Sequence, residues 1–352
     1  MDKSLQPRHK KRGRLWWVGR ILLGFVALLL IVLSITLLAG AKAKSDLKAK
    51  DPPPGAMVDV GGYRLHIFCE GTGSPTVIME SGLGDPSLLW ALVRPEIAKA
   101  TRTCVYDRAG LGWSDLSPKP RTAENIVKEL HTLLTNAGIA GPYVLVGHSM
   151  GGVYMRLYAH NYPDDVVGMV LVESSHEEQI SRFPEAFVKF RKQSTQRFLQ
   201  QLKAYKLLVA IGAFALAPSK VPVDDKLPQA SREIYQALAA ADTKFVETVI
   251  AEQKAVEPNL AQVNAARITT LGNIPLIVLS RGQSDLSPSG ADLSPEVIQQ
   301  VEQIWQQLQT ELALLSPQGK RAVAEQSGHY IQLKQPQLVI DAIKQVVADA
   351  RN

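Results

Sequence analysis

Residues 147–152 hold a serine, Ser149, in the pattern G-x-S-x-G. The apolar residues 143–146 before it have the character of a buried strand, and residues 153–162 after it have that of a helix. A serine at such a strand-to-helix turn forms a nucleophile elbow, which lifts its hydroxyl out of the sheet and leaves the N–H of Met150 facing the same space. Three fixed residues match by chance in roughly one chain of this length in ten, so the flanking elements carry the prediction of a nucleophilic serine.

A base must contact this serine, because a neutral hydroxyl is a weak nucleophile. Among the seven histidines, His329 is the best candidate, since it follows an expected last strand at 320–325 in a Ser-Gly-His loop. Loops that follow parallel strands collect at one edge of a sheet, which would bring His329 to Ser149. His148 is expected to point away from Ser149, and His176, after a strand end, stays open as a second candidate. The histidines expected to be structural are His66, His131 and His160.

Strand-like and helix-like segments alternate from Met57 onward, which predicts a mostly parallel sheet with helices on both faces. About 100 residues of helical character separate the strand that ends at Val172 from the strand that starts at Ile274. Within them, the apolar run 207–217 has 11 residues, too few to cross a membrane. We interpret this run as helical core; the alternative is the apolar wall of a substrate pocket or a lid that touches lipid.

Three further stretches, together with the G-x-S-x-G turn, resemble the α/β-hydrolase superfamily. Glu-Ser-Gly-Leu-Gly at 80–84 is similar to the family's loop after the third strand, and residues 107–114 are similar to its D-x-R-G-x-G-x-S segment. Residues 327–329 are similar to its terminal Gly-His. The resemblance implies the α/β-hydrolase fold, with a doubly wound sheet, a helical cap over the site, Ser149 as nucleophile and His329 as base.

The resemblance also implies the groups that assist the serine. The N–H groups of Leu83 and Met150 would form an oxyanion hole. The acid that orients His329 is Asp285, in the family's usual position after the strand 274–280, or Glu173, at the end of the preceding strand as in some members. We favour Asp285 narrowly.

The amino-terminal segment carries the positive charge of the chain. Residues 1–50 hold 11 Lys or Arg and two Asp, whereas the remainder holds 28 basic and 31 acidic residues, which argues against a nucleic-acid-binding body. Residues 21–41 contain no charge and would span about 31 Å as a helix, which matches a bilayer core. Basic residues precede this run, so we predict a single-pass anchor with a cytoplasmic tail and a catalytic domain outside the cytoplasm. The alternative is a signal peptide cleaved within residues 1–43, which would give a secreted protein.

Together these patterns predict a division of the chain into five parts. They are a basic tail (1–20), a transmembrane anchor (21–41), a stalk (42–56), a hydrolase core (57–173 and 273–352) and a helical cap (174–272).

We therefore expect a serine hydrolase that acts by acyl transfer on an ester-type, apolar or lipid-like substrate, with no metal and no other cofactor. Amidase, acyltransferase or cofactor-free perhydrolase chemistry would use the same residues, and a non-catalytic binding protein of this fold is the alternative class.

Cys69 and Cys104 fall on strands that the family fold places side by side, and a disulfide or two buried thiols both remain open. The oligomeric state is left open.

Overall fold

The computed structural model describes residues 13–286 and 293–352. The first twelve residues, which belong to the predicted cytoplasmic tail, lie outside the described residues.

An eight-stranded sheet forms the centre of the molecule, with the strand order β1-β2-β4-β3-β5-β6-β7-β8. The pairs β1–β2 and β2–β4 are antiparallel, and all the other neighbouring pairs are parallel. The strands are β1 (Ala56–Asp59), β2 (Arg64–Glu70), β3 (Thr76–Glu80), β4 (Thr103–Tyr106), β5 (Tyr143–His148), β6 (Val166–Val172), β7 (Leu276–Arg281) and β8 (Gly319–Ala324).

Helices cover both faces of the sheet, as the buried central strands require. The helices are α1 (Arg14–Lys50), α2 (Arg94–Ala98), α3 (Ala123–Asn136), α4 (Met150–Asn161), α5 (Gln179–Arg182), α6 (Glu185–Ala210), α7 (Ala213–Leu216), α8 (Gln229–Ala241), α9 (Thr243–Ala265), α10 (Pro295–Ala313), α11 (Ile331–Lys334) and α12 (Pro336–Asp349). Buried residues of α3 and α4 pack on one face and those of α2 and α12 on the other. The predicted doubly wound, mostly parallel sheet is confirmed.

Helices α5 to α9 lie between β6 and β7 and form the predicted helical insertion, which we call the cap. Within this insertion, α8 and α9 follow each other with a single residue between them. Asp242 separates the two helices, because its side chain accepts a hydrogen bond from the N–H of Lys244 and caps α9.

The apolar run 207–217 is broken at Gly212, whose φ of 82° ends one helix and starts the next. Val209 and Ala215 are buried. However, Leu207, Leu208 and Leu216 are 64%, 42% and 50% exposed. The interpretation of this run as helical core is therefore wrong for its leucines.

Helix α1 is long and apolar enough to cross a membrane. It continues without a break through residues 42–50, which the sequence had suggested as a stalk, because alanine and lysine favour helix. The prolines at 52–54 then end it. The segment that follows is docked on the core, since the carbonyl oxygens of Asp51 and Pro54 bind Trp113 Nε1 and His66 Nε2 at 2.9 Å and 2.6 Å.

Cys69 and Cys104 occupy facing positions of β2 and β4 and form a disulfide. The sequence left open a disulfide or two buried thiols, and the structure has the disulfide.

Candidate active site

Ser149 lies between β5 and α4 with a φ of 54° and a ψ of −122°. Residues other than glycine rarely adopt such a conformation, and when they do they are concentrated at functional sites. Small neighbours make this turn possible. A Cβ on Gly147 would lie 2.6 Å from the Cα of Gly152, and a Cβ on Gly152 would lie 2.1 Å from Ser174 Oγ.

The backbone of Ser149 is held at three points. Its N–H donates to the carbonyl oxygen of Val172 at 3.2 Å, and its own carbonyl oxygen accepts from the N–H groups of Gly152 and Ser175 at 3.1 Å and 3.0 Å. The strained turn is thus tied to the end of the neighbouring strand β6. The residue is largely buried, with 8% of its surface exposed.

His329 lies in the loop between β8 and α11, and both of its backbone polar groups are bound. Its N–H donates to Asp285 Oδ2 at 3.0 Å, and its carbonyl oxygen accepts from His148 Nε2 at 3.0 Å. The rings of His148 and His329 have centroids 4.8 Å apart. His148 thus connects the nucleophile turn to the His329 loop, a contact that the sequence did not reveal.

The side chain of His329 faces Glu173, whose Oε1 lies 3.9 Å from His329 Nδ1. Glu173 follows β6 with a φ of 46° and is completely buried. The N–H of Arg281 donates to Glu173 Oε2 at 2.7 Å, and the guanidinium of Arg281 pairs with Oε1. Burial raises the pKa of this carboxyl, but the neighbouring imidazole of His329 and the charge of Arg281 outweigh it and hold the pKa below its ordinary value. Asp285, by contrast, is exposed and binds the His329 loop through the backbone.

The loop after β3 is fixed by a buried ion pair. Arg108 Nη1 donates to the carbonyl oxygen of Ser81 at 2.8 Å, and Nη2 donates to that of Gly82 at 2.6 Å. Glu252, on the cap helix α9, accepts from Arg108 Nε at 2.8 Å and from the N–H of Gly84 at 2.9 Å. The loop is therefore held from the core and from the cap at once.

Leu83 lies in this loop, and Met150 directly follows Ser149. Neither N–H group donates a hydrogen bond to any residue that the structure describes. Two backbone donors thus remain free near the nucleophile turn.

Glu252 and the role of Arg108 went unrecognised in the sequence. Arg108 lies in the D-x-R-G-x-G-x-S segment, which was a signal for its importance, whereas Glu252 lies in an ordinary helical pattern. An ion pair between residues far apart in the chain produces no recognisable pattern in the sequence around either residue.

A cavity of about 420 Å³ lies between this loop and the cap. Apolar and aromatic side chains form most of its wall, and Asp85 adds a carboxyl that accepts a hydrogen bond from Tyr330. Burial raises the pKa of Asp85 to about 6. The wall contributed by the cap consists of Phe198, Gln201, Leu202, Tyr205, Val221, Pro222, Tyr235, Phe245, Val246 and Val249.

The family model described as the alpha/beta hydrolase family matches residues 77–342 of this chain. The chain belongs to the α/β-hydrolase family. The uncharacterized protein YqjL of Bacillus subtilis is 27% identical to this α/β hydrolase over 277 residues, which make up 79% of this chain and 85% of YqjL. The probable transporter efuK of Hormonema carpetanum is 38% identical over 136 residues, or 36% of this chain, and the match spans only 20% of that relative's length.

Solved α/β-hydrolase structures share the architecture. An epoxide hydrolase, CorEH, superposes with a TM-score of 0.60 at 17% identity, covering 83% of this chain and 97% of its own. A thermophilic esterase from Thermogutta terrifontis superposes with a TM-score of 0.55 at 22% identity, covering 84% and 97%. At these identities the likeness shows the fold alone.

Three of the other histidines have local partners. His66 Nδ1 lies 2.8 Å from Asp107 Oδ2 in the core of this α/β hydrolase. His131 stacks on Tyr162. His176 Nδ1 accepts from the N–H of Glu178 at 3.1 Å, and burial lowers its pKa to about 4. Over the described ranges 13–286 and 293–352, no group of three or more His, Cys, Asp or Glu side chains could hold a metal ion.

Proposed function

We propose that this α/β hydrolase is a serine hydrolase that acts by acyl transfer on an ester with an apolar acyl group. The observation that carries the proposal is the strained backbone of Ser149, at a turn whose neighbour His148 binds the loop of His329. A conformation this unfavourable is retained where it serves a function.

In the proposed reaction Ser149 Oγ attacks the carbonyl carbon while His329 Nε2 takes the hydroxyl proton. The tetrahedral intermediate collapses, and His329 returns the proton to the departing alkoxide. A water molecule, deprotonated by the same nitrogen, then attacks the acyl-serine; as the second intermediate collapses, His329 returns this proton to Ser149 Oγ and the acid is released. His329 Nδ1–H must meanwhile be held by an acceptor, so that the correct tautomer faces the serine.

We assign that acceptor to Glu173 rather than to Asp285, the residue favoured from the sequence. The distance of 3.9 Å from Glu173 Oε1 to His329 Nδ1 supports this assignment, since such contacts shorten when substrate binds. The depressed pKa of Glu173 supports it as well, because an ionised carboxylate stabilises the imidazolium that forms during the reaction. Asp285 instead positions the loop by accepting the backbone N–H of His329.

The N–H groups of Leu83 and Met150 are the proposed oxyanion hole. Their freedom from other partners supports this role, as does the fixing of the loop by Arg108. Each such donor contributes roughly 3 kcal/mol to stabilising the intermediate. The apolar wall of the neighbouring cavity supports an apolar substrate.

We further infer that α1 spans a membrane and that the catalytic domain lies outside the cytoplasm. The uncharged run 21–41 and the basic residues before it support this topology. The disulfide between Cys69 and Cys104 supports it too, because such bonds persist in oxidising compartments.

Labelling of intact membranes by a fluorophosphonate probe tests the proposal, since the probe reacts only with an activated serine. Wild-type protein should be labelled, Ser149→Ala should not, and Ser181→Ala should match wild type. Ser181 is the control because it is exposed and its hydroxyl donates to the carbonyl oxygen of Glu178, three residues before it. Absence of labelling in folded wild-type protein would overturn the proposal, and an ester chain-length series would then define the substrate of a labelled enzyme.

A further inference from the structure

The exposed leucines of the cap lie where α1 would leave a membrane. We propose that Leu207, Leu208 and Leu216, here called the leucine face, insert into the outer leaflet of the bilayer that α1 spans, and that the cavity receives its substrate from that leaflet. This inference rests on the membrane-spanning α1 and on the serine hydrolase activity proposed above.

The leucine face lies at the end of α6 and in α7. Its three side chains are 64%, 42% and 50% exposed, although burial of a leucine is favourable and exposure is not. Clustered apolar exposure of this kind marks an interaction surface.

Helix α1 places the bilayer boundary at this face. Gly40 lies so close to the cap that a Cβ on it would be 2.8 Å from both Gly212 Cα and the carbonyl oxygen of Ile211. Gly40 is also next to the end of the uncharged run 21–41. Any bilayer that holds this run therefore ends at the level of Gly212. This residue lies between Leu208 at the end of α6 and Leu216 in α7.

Polar contacts fix the cap in this orientation. Lys44 Nζ donates to the carbonyl oxygen of Ala210 at 2.7 Å, and Lys48 Nζ lies 2.7 Å from Asp242 Oδ2. Leu47, between the two lysines, packs against the buried cap residues Val221, Ala239 and Ala240. The cap is thus joined to α1 over more than two helical turns, which prevents the leucine face from turning toward water.

The same helix connects this face to the cavity. Phe198, Leu202 and Tyr205 of α6 line the cavity, and Phe198 is itself 40% exposed. Leu207 follows Leu202 by five residues, about 7.5 Å along the helix. The leucine face and the cavity wall are thus neighbours along α6, and the proposed path of the acyl chain runs between them.

Single-cysteine labelling measures the depth of the leucine face directly, because both native cysteines are in the disulfide. Leu207→Cys and Leu216→Cys in the full chain are labelled with a fluorophore and reconstituted in phosphatidylcholine vesicles that contain nitroxide-bearing lipid. Leu314→Cys is the matched control. Leu314 is 75% exposed and precedes β8, the edge strand at the far end of the sheet from β1.

We expect the labels at positions 207 and 216 to lose most of their emission to the nitroxide lipid and the label at 314 to lose little. Equal quenching at all three positions would overturn the proposal. So would labels at 207 and 216 that are shielded from both the nitroxide lipid and an aqueous quencher, because the face would then be covered by protein. This assay needs no catalysis, so its outcome is independent of the labelling result at Ser149.

Activity provides the second measurement. Replacing both Leu207 and Leu208 by serine should lower turnover of an ester embedded in vesicles about tenfold and leave turnover of a short water-soluble ester unchanged. Leu314→Ser should alter neither. Equal losses on both esters would indicate damage to the active site and would contradict delivery from the leaflet.

Discussion

At the scale of single residues, backbone conformation and backbone hydrogen bonds position the side chains of the site. Ser149 and Glu173 both adopt positive φ values, of 54° and 46°, and both follow the carboxyl ends of parallel strands. His329 is bound by its own N–H and carbonyl groups. The two acidic residues considered from the sequence thus have different surroundings: Glu173 faces the imidazole, and Asp285 faces the backbone.

Glu173→Gln and Asp285→Asn separate these roles. Glu173→Gln should lower kcat roughly 10³- to 10⁴-fold, because an amide does not stabilise the imidazolium. Asp285→Asn should reduce kcat only a few-fold, roughly, since the amide oxygen can still accept the N–H of His329. Steady-state kinetics on one ester measures both variants. Similar mild losses in the two, or a severe loss only in Asp285→Asn, would refute the assignment of Glu173.

The carboxyl of Asp85 predicts a dependence of stability on pH. Its pKa is raised by burial from an ordinary 3.8 to about 6, so the folded chain binds more protons here than the unfolded chain does. The free energy of unfolding therefore falls as pH rises from about 4 to about 6. Asp85→Asn lacks this titration, so its stability relative to wild type should be roughly 2 kcal/mol higher at neutral pH than at pH near 4. Denaturant unfolding of both proteins in detergent measures their free energies of unfolding. A difference between the two that does not change with pH would contradict the prediction.

At the scale of elements, the cap and the core meet at the loop after β3. Arg108 reaches this loop from the segment after β4, and Glu252 reaches it from α9. Both side chains are buried, so neither charge can be solvated if its partner is lost. Movement of α9 would therefore displace the proposed oxyanion hole.

Glu252→Ala should destabilise the protein by about 3–5 kcal/mol, because it leaves the buried Arg108 without one of its carboxylates. Glu247→Ala is the matched control on the same helix. Glu247 pairs with Lys206 at 2.9 Å, but the two side chains are 35% and 44% exposed. Its loss should therefore cost less than about 1 kcal/mol. Thermal unfolding of both variants measures these losses. Equal decreases in Tm would show that the buried pair stabilises the protein no more than the exposed pair does.

At the scale of the whole molecule, α1 is continuous with the catalytic body. The helix runs from the uncharged segment to Lys50 and packs against the cap, and the chain after it docks on the core through Asp51 and Pro54. In the proposed topology the body is therefore held at the membrane surface in a fixed orientation.

A reporter enzyme fused after Lys50 tests the proposed topology. It should be active only outside the cytoplasm and should sediment with membranes, because the uncharged run 21–41 remains attached. A soluble reporter outside the cell would indicate cleavage within residues 1–43, and an active cytoplasmic reporter would reverse the topology.

The sequence by itself determined the features that short-range patterns encode. Strand–turn–helix patterning identified the turn at Ser149, the alternation of elements predicted the mostly parallel sheet, and the length of an uncharged run predicted a helix able to span a bilayer. Each of these depends on residues within about 20 positions of one another, and hydrophobic periodicity and turn chemistry are local.

Only the tertiary structure decided which distant groups meet. The approach of Glu173 to His329, the pairing of Arg108 with Glu252 and the exposure of the leucine face all join segments far apart in the chain. Periodicity shows that a residue is apolar or charged, but its partner depends on strand order and on how the cap sits over the sheet. For that reason the exposed leucines looked like core in the sequence, and the sequence narrowly favoured Asp285, whereas the carboxylate beside the imidazole is that of Glu173.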